Sequence, residues 1–230
     1  NRTARGQGLH GAFPEFAAYL DALVDARRDP SAPDDLVTRL VRSRLDGEPL
    51  SPTVLRSLTA HVVLGGISTT TNLLASLLHR LLVTPELHRT LRADPALLPA
   101  AVEETLRLDP PVLFVMRVCR RATKVAGFPI EEGDSVLAGI ASANRDERVY
   151  EDSDTFRLDR GLPRHLSFSG GAHHCIGAGF ARLVAAEAIG AFLSRFDVGD
   201  ARLAQGFVYE GVPVFLENGP VRLDVELAGR

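Results

Sequence analysis

The sequence has very little cysteine: only Cys119 and Cys175 among 230 residues. Two cysteines cannot build the dense disulfide framework of a small secreted protein. We therefore expect no disulfide and a reducing compartment, the cytoplasm. Cys119 falls in a predicted strand, where it is interpreted as a small buried apolar residue. Cys175 is the cysteine that remains for chemistry.

Long uninterrupted apolar runs and excess charge of one sign are also missing. No stretch of about eighteen residues is free of polar groups, so we expect no membrane span in this chain. The net charge is −3, with acidic and basic residues interspersed, which favours neither nucleic acid nor an anionic membrane surface as a partner. Hydrophobic residues make up 45% of the chain, enough to bury a sizeable core.

Helical patterns dominate, and the longest predicted helix runs from about residue 52 to 82. Ser51 is its N-cap and Pro52 its first residue. The helix is apolar on most faces, which predicts burial in the middle of the fold. Its centre, residues 65–71 (Gly-Gly-Ile-Ser-Thr-Thr-Thr), opposes helix formation, because each glycine costs about 1 kcal/mol relative to alanine. This local weakness indicates either a functional site or a structural kink.

Shorter elements follow this helix. Strands are predicted at 113–118, 124–129 and 135–140, and a hairpin is predicted from 212–216 and 221–227 around a turn at 217–219. A helix over 176–196 would bury the apolar positions Phe180, Val184, Ala188, Phe192 and Phe196. The predicted fold class is mainly α with a minor antiparallel β-sheet, forming a single domain over residues 1–230.

A glycine-rich loop with one cysteine precedes this last helix, at residues 168–177. Gly170 and Gly171 allow backbone angles that other residues avoid and let a flat group approach the chain. Cys175 lies at the predicted helix start, where the helix dipole and unpaired amides favour a thiolate. Such a thiolate is either a nucleophile or a metal ligand.

The residues alone leave several interpretations of this loop open. A zinc site is disfavoured, because the consecutive residues His173, His174 and Cys175 cannot easily converge on one tetrahedral ion. A cysteine-nucleophile hydrolase or transferase needs a nearby base, which either histidine could supply. A non-catalytic fragment could also keep such a loop without a closed pocket.

Seven positions at fixed spacing resemble the haem-binding loop of the cytochrome P-450 family of haem-thiolate monooxygenases. They are Phe168, Gly171, His173, Cys175, Gly177, Ala181 and Arg182. The resemblance implies that Cys175 ligates the iron of a haem (iron protoporphyrin IX), that Phe168 packs beside the sulfur, and that the glycines make room for the porphyrin. It covers the C-terminal half, or slightly more, of the bacterial soluble members. The first residues read as the middle of a fold, so we expect an N-terminal portion to be absent from this chain or not shown.

The centre of the long helix resembles the family's small-Gly-x-acid-Thr-Thr segment over the haem face. Gly65 and Gly66 match the small pair, and Thr69 matches the threonine linked to oxygen activation. Ser68 departs from the pattern, because it stands where the family usually has Asp or Glu. A carboxylate can carry a proton in from solvent, whereas a hydroxyl only passes one along an existing chain. Ser68 therefore predicts proton delivery that is slower or follows another route, with weaker coupling of electron use to product.

Other residues match structural and cofactor-binding positions of the family. Glu104 and Arg107 match its E-x-x-R motif, which by itself would read as a surface ion pair. Arg160 matches the third partner, and the resemblance implies that these three residues hold the cysteine loop. Arg117 and His173 match positions that pair with the haem propionates. His165, just ahead of the loop, is interpreted as a loop hydrogen-bonding residue and not as a ligand.

The expected activity is insertion of one oxygen atom from O₂ into a small apolar organic substrate. The residues that match substrate-contacting positions are apolar: Val62, Leu113, Phe114, Val115 and Phe215. Thr69, Ser68 and Gly66 are the predicted catalytic positions on the long helix. Since the chain has no glycine fingerprint for a flavin or nucleotide, electrons are expected from a separate ferredoxin-type partner and its reductase.

Overall fold

The structure is a computed structural model that describes residues 8–228, and helices dominate it. The α-helices are α1 (Gly8–Ala12), α2 (Pro14–Ala26), α3 (Leu36–Arg42), α4 (Pro52–Val83), α5 (Pro85–Ala93), α6 (Leu98–Leu108), α7 (Ile140–Ala143) and α8 (Ala178–Arg195). The strands are β1 (Arg44–Leu45), β2 (Glu48–Pro49), β3 (Phe114–Val118), β4 (Thr123–Val125), β5 (Phe128–Ile130), β6 (Ser135–Gly139), β7 (Ala201–Leu203) and β8 (Val225–Leu227). Each strand pairs with one antiparallel partner. The predicted fold class is confirmed.

The chain divides into two compact units, with the boundary between Ile67 and Ser68 inside α4. The expectation of a single domain over residues 1–230 stays a prediction. In the first unit, α2 buries Ala17, Leu20 and Val24. The α3 helix begins at an N-cap aspartate, Asp35, whose carboxylate accepts a hydrogen bond of 2.8 Å from the backbone of Thr38.

The second unit is built around one cluster of apolar side chains. Its members come from α4, α5, α6, α8 and the cysteine loop: Leu73, Leu77, Leu81, Leu87, Leu91, Leu98, Ala101, Val102, Leu106, Phe168, Ala178, Ala185, Ile189 and Leu193. Burial of this apolar surface is the main driving force for folding of the unit. Because Phe168 belongs to the cluster, the core itself anchors the start of the cysteine loop.

The α4 helix runs one residue beyond the predicted end, but it is less buried than expected. Val62, Leu64 and Ile67 are all about half exposed or more, whereas Leu73, Leu77 and the residues after them lie in the core. By length and composition, α4 is also the one helix of the described chain that could cross a membrane. Core helices of soluble proteins have the same properties, so this is weak evidence for a span.

The predicted buried stripe of α8 is wrong. The buried positions are Ala178, Ala185, Ile189 and Leu193, while Phe180 is 68% exposed. The sequence of α8 is apolar on nearly every face, so periodicity alone cannot select the face that is buried. The choice is made by packing against α5 and α6, where a Cβ on Gly190 would already contact Leu98 at 3.4 Å.

Two strand predictions are also corrected. Residues 124–129 do not form one strand, because the chain reverses at Ala126 and Gly127, which both have positive φ angles, and β4 pairs with β5. Residues 212–216 and 221–227 do not form a regular hairpin. Only an isolated bridge joins Gly211 and Pro220, and β8 pairs instead with β7.

Candidate functional site

The cysteine loop is closed by its own backbone. The N–H of Cys175 donates to the carbonyl of Phe168 at 2.9 Å, and a short 3₁₀ helix at Gly171–His173 fills the interval between them. Gly171 has a φ of 60°, a conformation that favours glycine. The side chain of Cys175 is exposed, and α8 begins three residues later at Ala178. The loop therefore presents the sulfur outward from a rigid frame.

Phe168 connects this loop to charged residues of two helices. Its ring is only 8% exposed, and the guanidinium carbon of Arg182 lies 4.4 Å from the ring centroid. Arg182 also makes two hydrogen bonds to Glu103, of 2.6 and 2.9 Å. His165 Nε2 lies 3.2 Å from the same carboxylate, at ion-pair distance but without good hydrogen-bond geometry.

The charge state of Glu103 follows from these neighbours. Burial alone would raise the pKa of this carboxyl, but the approach of His165 and the two bonds from Arg182 outweigh it and lower the pKa to about 2. Glu103 is therefore ionised at neutral pH and holds Arg182 over Phe168. The sequence prediction for His165 agrees with its contacts, since its Nδ1 also accepts the backbone N–H of Ser167 at 3.2 Å.

A second carboxylate, Glu104, lies in a fully buried ion cluster. Glu104 and Arg107 have no exposed side-chain surface and share two hydrogen bonds of 2.8 Å each. Arg160 adds a third charged contact of 3.0 Å to the same carboxylate, and the backbone N–H of Arg157 a further bond of 3.0 Å. The structure thus brings together the three residues that match the family's E-x-x-R motif and its partner.

Arg107 also ties distant parts of the chain together. Its guanidinium donates to three backbone carbonyls, those of Asn144 (2.9 Å), Ser153 (2.6 Å) and Thr155 (3.2 Å). The buried side chain of Asn144 in turn bonds the hydroxyl of Ser167, next to Phe168, at 2.9 Å. This chain of contacts links α6 to the cysteine loop, and every polar group in it has a partner, as burial requires.

Glu103 and Asn144 were missed by the sequence analysis. Glu103 stands directly beside the motif residue Glu104, and α6 buries both carboxylates. Two adjacent acids in a mostly apolar helix were the available signal. Asn144 lies in a polar segment, where nothing in the sequence distinguishes a buried amide from an exposed one.

The surroundings of Cys175 fit a flat cofactor better than the alternatives. A Cβ on Gly170 would meet no described heavy atom within 4 Å, and one on Gly177 would lie 3.9 Å from the Cys175 sulfur. Residues 8–228 contain no group of three or more His, Cys, Asp and Glu side chains that could hold a metal, which leaves zinc without ligands. Within this part of the chain the Cys175 thiol has no hydrogen bond to His173 or His174, so the base of a nucleophilic cysteine is not in place.

On α4, the predicted oxygen-activating segment crosses the boundary between the units. Val62, Gly65 and Gly66 belong to the first unit and are exposed there. Ser68 and Thr69 belong to the second unit and are half-buried. The Ser68 hydroxyl donates to Glu217 at 3.2 Å, a contact that no pattern in the sequence predicted.

The remaining predicted residues fall into two groups. The cations Arg117 and His173 are both exposed, and Arg117 donates to the carbonyl of its neighbour Met116 at 2.8 Å. Two predicted substrate residues meet, because the rings of Phe114 and Phe215 stack with centroids 5.2 Å apart and planes 8° from parallel.

The backbone beside this stack joins the same two segments. Leu113 lies just before β3 and donates its N–H to the carbonyl of Leu216 at 2.9 Å, while its own carbonyl accepts from Ile140 at 2.9 Å. Val115 pairs with Ala138 across β3 and β6. Leu113, Phe114 and Val115 are half-buried. The structure therefore places the two predicted substrate-contacting segments of the second unit side by side.

Comparison with known proteins identifies the family of the chain. A family model described as Cytochrome P450 matches residues 2–205. The chain belongs to the cytochrome P450 family. Cytochrome P450s use haem, iron protoporphyrin IX, as their cofactor, and they are oxidoreductases. The family and the cofactor predicted from the sequence are thereby confirmed.

Individual cytochrome P450s show how far the similarity in sequence and structure extends. Cytochrome P450 107B1 of Saccharopolyspora erythraea is 38% identical over 205 residues, which are 85% of this chain and 50% of the relative. The polyketide biosynthesis cytochrome P450 PksS of Bacillus subtilis is 36% identical over 229 residues, 97% of this chain and 55% of the relative. The ligand-free structure of cytochrome P450 TbtJ1 has a TM-score of 0.86 and 33% identity, covering 96% of this chain and 57% of its own. The chain spans about half the length of the curated relatives it matches.

Proposed function

We propose that the protein is a haem-thiolate monooxygenase that inserts one oxygen atom from O₂ into a small apolar organic molecule. The observation that carries this proposal is the outward-facing sulfur of Cys175, held on a loop that is closed at Phe168 and supported by buried ions. When bound, the haem supplies an iron centre whose thiolate ligand favours cleavage of the O–O bond.

The residues around the loop would bind and orient the cofactor. Cys175 would ligate the iron, and Phe168 and Gly177 would border the sulfur. The Phe168 ring is buried, and a Cβ on Gly177 would meet no described heavy atom within 4 Å other than the Cys175 sulfur. Arg117 and His173 are the cations proposed for the two propionates, and two exposed cations suit a dianionic group. Glu104, Arg107 and Arg160 would act only indirectly, by keeping the loop in place.

The residues of α4 would serve the distal side. Thr69 would hold and pass a proton during oxygen activation, and Gly65 and Gly66, which lack side chains, are proposed for the same segment of α4. The stacked rings of Phe114 and Phe215 would form part of an apolar substrate wall, together with Leu113 and Val115. Val62, in the first unit, is proposed as a substrate-contacting residue on the resemblance alone. A relative named for polyketide biosynthesis is consistent with an organic substrate of this kind.

Electrons would come from a separate ferredoxin-type partner with its reductase, since the chain carries no flavin- or nucleotide-binding fingerprint. The cytoplasm is the compartment that suits two free cysteines and such a partner. Membership of the cytochrome P450 family implies a redox partner in general. That this partner is of the ferredoxin type is our proposal.

The test is an absorption spectrum of the haem-loaded protein, reduced and exposed to carbon monoxide. The parent should show a strong visible band that shifts with carbon monoxide, and Cys175→Ser should lose the thiolate-type shift. Cys119→Ser is the matched control and should keep it, because the Cys119 thiol donates to the backbone carbonyls of Arg121 at 3.0 Å and Ile130 at 3.9 Å. A colourless parent grown with ample haem precursor, or an unchanged band in Cys175→Ser, would contradict the proposal.

A further inference from the structure

A carboxylate from the C-terminal part of the chain contacts α4 at the position where the sequence lacks one. The hydroxyl of Ser68 donates to Oε1 of Glu217 at 3.2 Å, across 149 positions of sequence. The amide of Asn72, four residues further along α4, donates to Oε2 of the same group at 3.4 Å. Residues four apart share one face of a helix, so α4 offers Glu217 two donors at once.

The turn that carries Glu217 is pressed against α4. A Cβ on Gly219 would lie 2.4 to 2.8 Å from three atoms of the Asn72 side chain, so only glycine fits there. The backbone of the same turn is bonded to the segment before β3, because Asn218 donates to the carbonyl of Pro111 at 2.9 Å. The position of Glu217 is therefore set by packing and by backbone bonds, and does not depend on the contact with Ser68 alone.

Glu217 also reaches water. Its side chain belongs to a half-buried residue, while Asn72 beside it is only 5% exposed. Part of Glu217 is thus accessible to solvent, while its carboxylate accepts the hydrogen bond from the hydroxyl of Ser68. This arrangement has the two properties that a proton-carrying group needs: it can exchange with bulk water, and it is hydrogen-bonded to the next group inward.

We propose that Glu217 supplies, through Ser68, the carboxylate that the family usually carries at this place in the helix. A protonated Glu217 would donate its proton to the Ser68 oxygen, while the hydroxyl proton of Ser68 moves on toward the site of oxygen activation. Glu217 would then take a new proton from solvent. This inference rests on the proposed monooxygenase function, and it names the other route for proton delivery that the sequence left open.

The key variant is Glu217→Gln in the haem-loaded protein. An amide oxygen can still accept the bond from Ser68, so the turn keeps its anchor, but the side chain no longer carries a proton. Oxygen consumption is measured with a surrogate ferredoxin and its reductase, without added substrate. We expect uptake to fall about tenfold, in the lower range of general acid–base effects. Glu210→Gln is the matched control in the same segment, since Glu210 is exposed, and it should leave uptake unchanged.

Two further variants separate a proton-carrying role from a structural tie. Restoring an acid on α4, in Ser68→Asp combined with Glu217→Gln, should return uptake to within about threefold of the parent. Unchanged uptake in Glu217→Gln, or no recovery in the double variant, would overturn the relay. A parent that shows no carbon monoxide band and takes up no oxygen would remove the proposed function as well, so the two failures can be told apart.

A readout that does not depend on turnover tests the contact itself. Ser68→Ala and Glu217→Ala, singly and together, are compared by urea unfolding of the haem-loaded protein. If the hydroxyl and the carboxylate are bonded in solution, the double variant should lose less than the sum of the two single losses. Strictly additive losses would show that the contact is not made and would overturn the proposal.

Discussion

Removing the charge of Arg107 should cost the protein a large part of its stability. In Arg107→Met the aliphatic volume is largely kept, but Glu104 loses the partner that forms two 2.8 Å hydrogen bonds with it at zero exposure. Removing one partner of a buried ion pair costs about 3–5 kcal/mol, because the remaining charge stays buried with neither a counter-charge nor water around it. Arg160 remains at 3.0 Å and compensates in part.

Three backbone carbonyls lose a donor in the same substitution. The carbonyls of Asn144, Ser153 and Thr155 accept from Arg107, and each lost bond to a charged group costs about 1.5–3 kcal/mol when no water replaces it. Relaxation and the Arg160 contact act in the other direction, so we expect a net loss of about 5 kcal/mol. Folded domains are stable by only about 5–15 kcal/mol, so the variant should lie near the limit of folding.

The assay is urea unfolding followed by circular dichroism, with haem retention measured after gel filtration. Arg157→Gln is the matched control: the Arg157 side chain is partly exposed and bonds surface aspartates, whereas its backbone N–H to Glu104 is unaffected by substitution. That control should keep the parent's midpoint and its haem. The double variant Glu104→Gln with Arg107→Met should recover part of the lost stability, since the buried carboxylate charge of Glu104 is removed together with its partner. A loss below about 1 kcal/mol in Arg107→Met would refute the reasoning, because it would place the pair among surface ion pairs.

Two other predictions concern the same unit. The pKa of Glu103 is about 2 when folded against 4.5 for the free group, so its bonds to Arg182 should contribute fully above about pH 4.5 and be lost as pH falls toward about 2. Glu103→Gln should therefore cost about 2 kcal/mol in urea unfolding at pH 7 and nearly nothing at the acid limit; a penalty that does not depend on pH would contradict this. Gly219→Ala should destabilise by about 1–3 kcal/mol, because its Cβ would overlap Asn72, and Gly219→Ala with Asn72→Ala should recover most of the loss in thermal unfolding. No recovery in that pair would show that the close contact is not the cause.

Elements with strong local signals could be predicted from the sequence. The Ser51-Pro52 start of α4 and the break before Pro85 depend on residues within one turn, and the observed helix agrees with them within one residue. The spacing from Phe168 to Arg182 likewise identified the family, because each position in a short loop is constrained by its neighbours along the chain. The predicted roles of the individual site residues remain predictions.

Predictions that depended on which face or which partner is chosen were less successful. Phe180 was expected to be buried and is exposed, since α8 offers apolar residues in more than one register. The arms around Glu217 were expected to pair with each other, but one of them pairs with β7. Short apolar segments such as 221–227 can pair with several strands, and local propensity does not distinguish among them.

The order of residues along the chain by itself determined the family, the haem ligand candidate at Cys175 and the positions of the long helices, because these depend on spacing and on local backbone preferences. The tertiary structure alone decided that Glu103 holds Arg182 over Phe168 and that Glu217 lies against Ser68. Contacts between residues 79 and 149 positions apart arise from how whole helices and turns pack. No short-range pattern records such contacts, since packing depends on the volume and shape of every element at once.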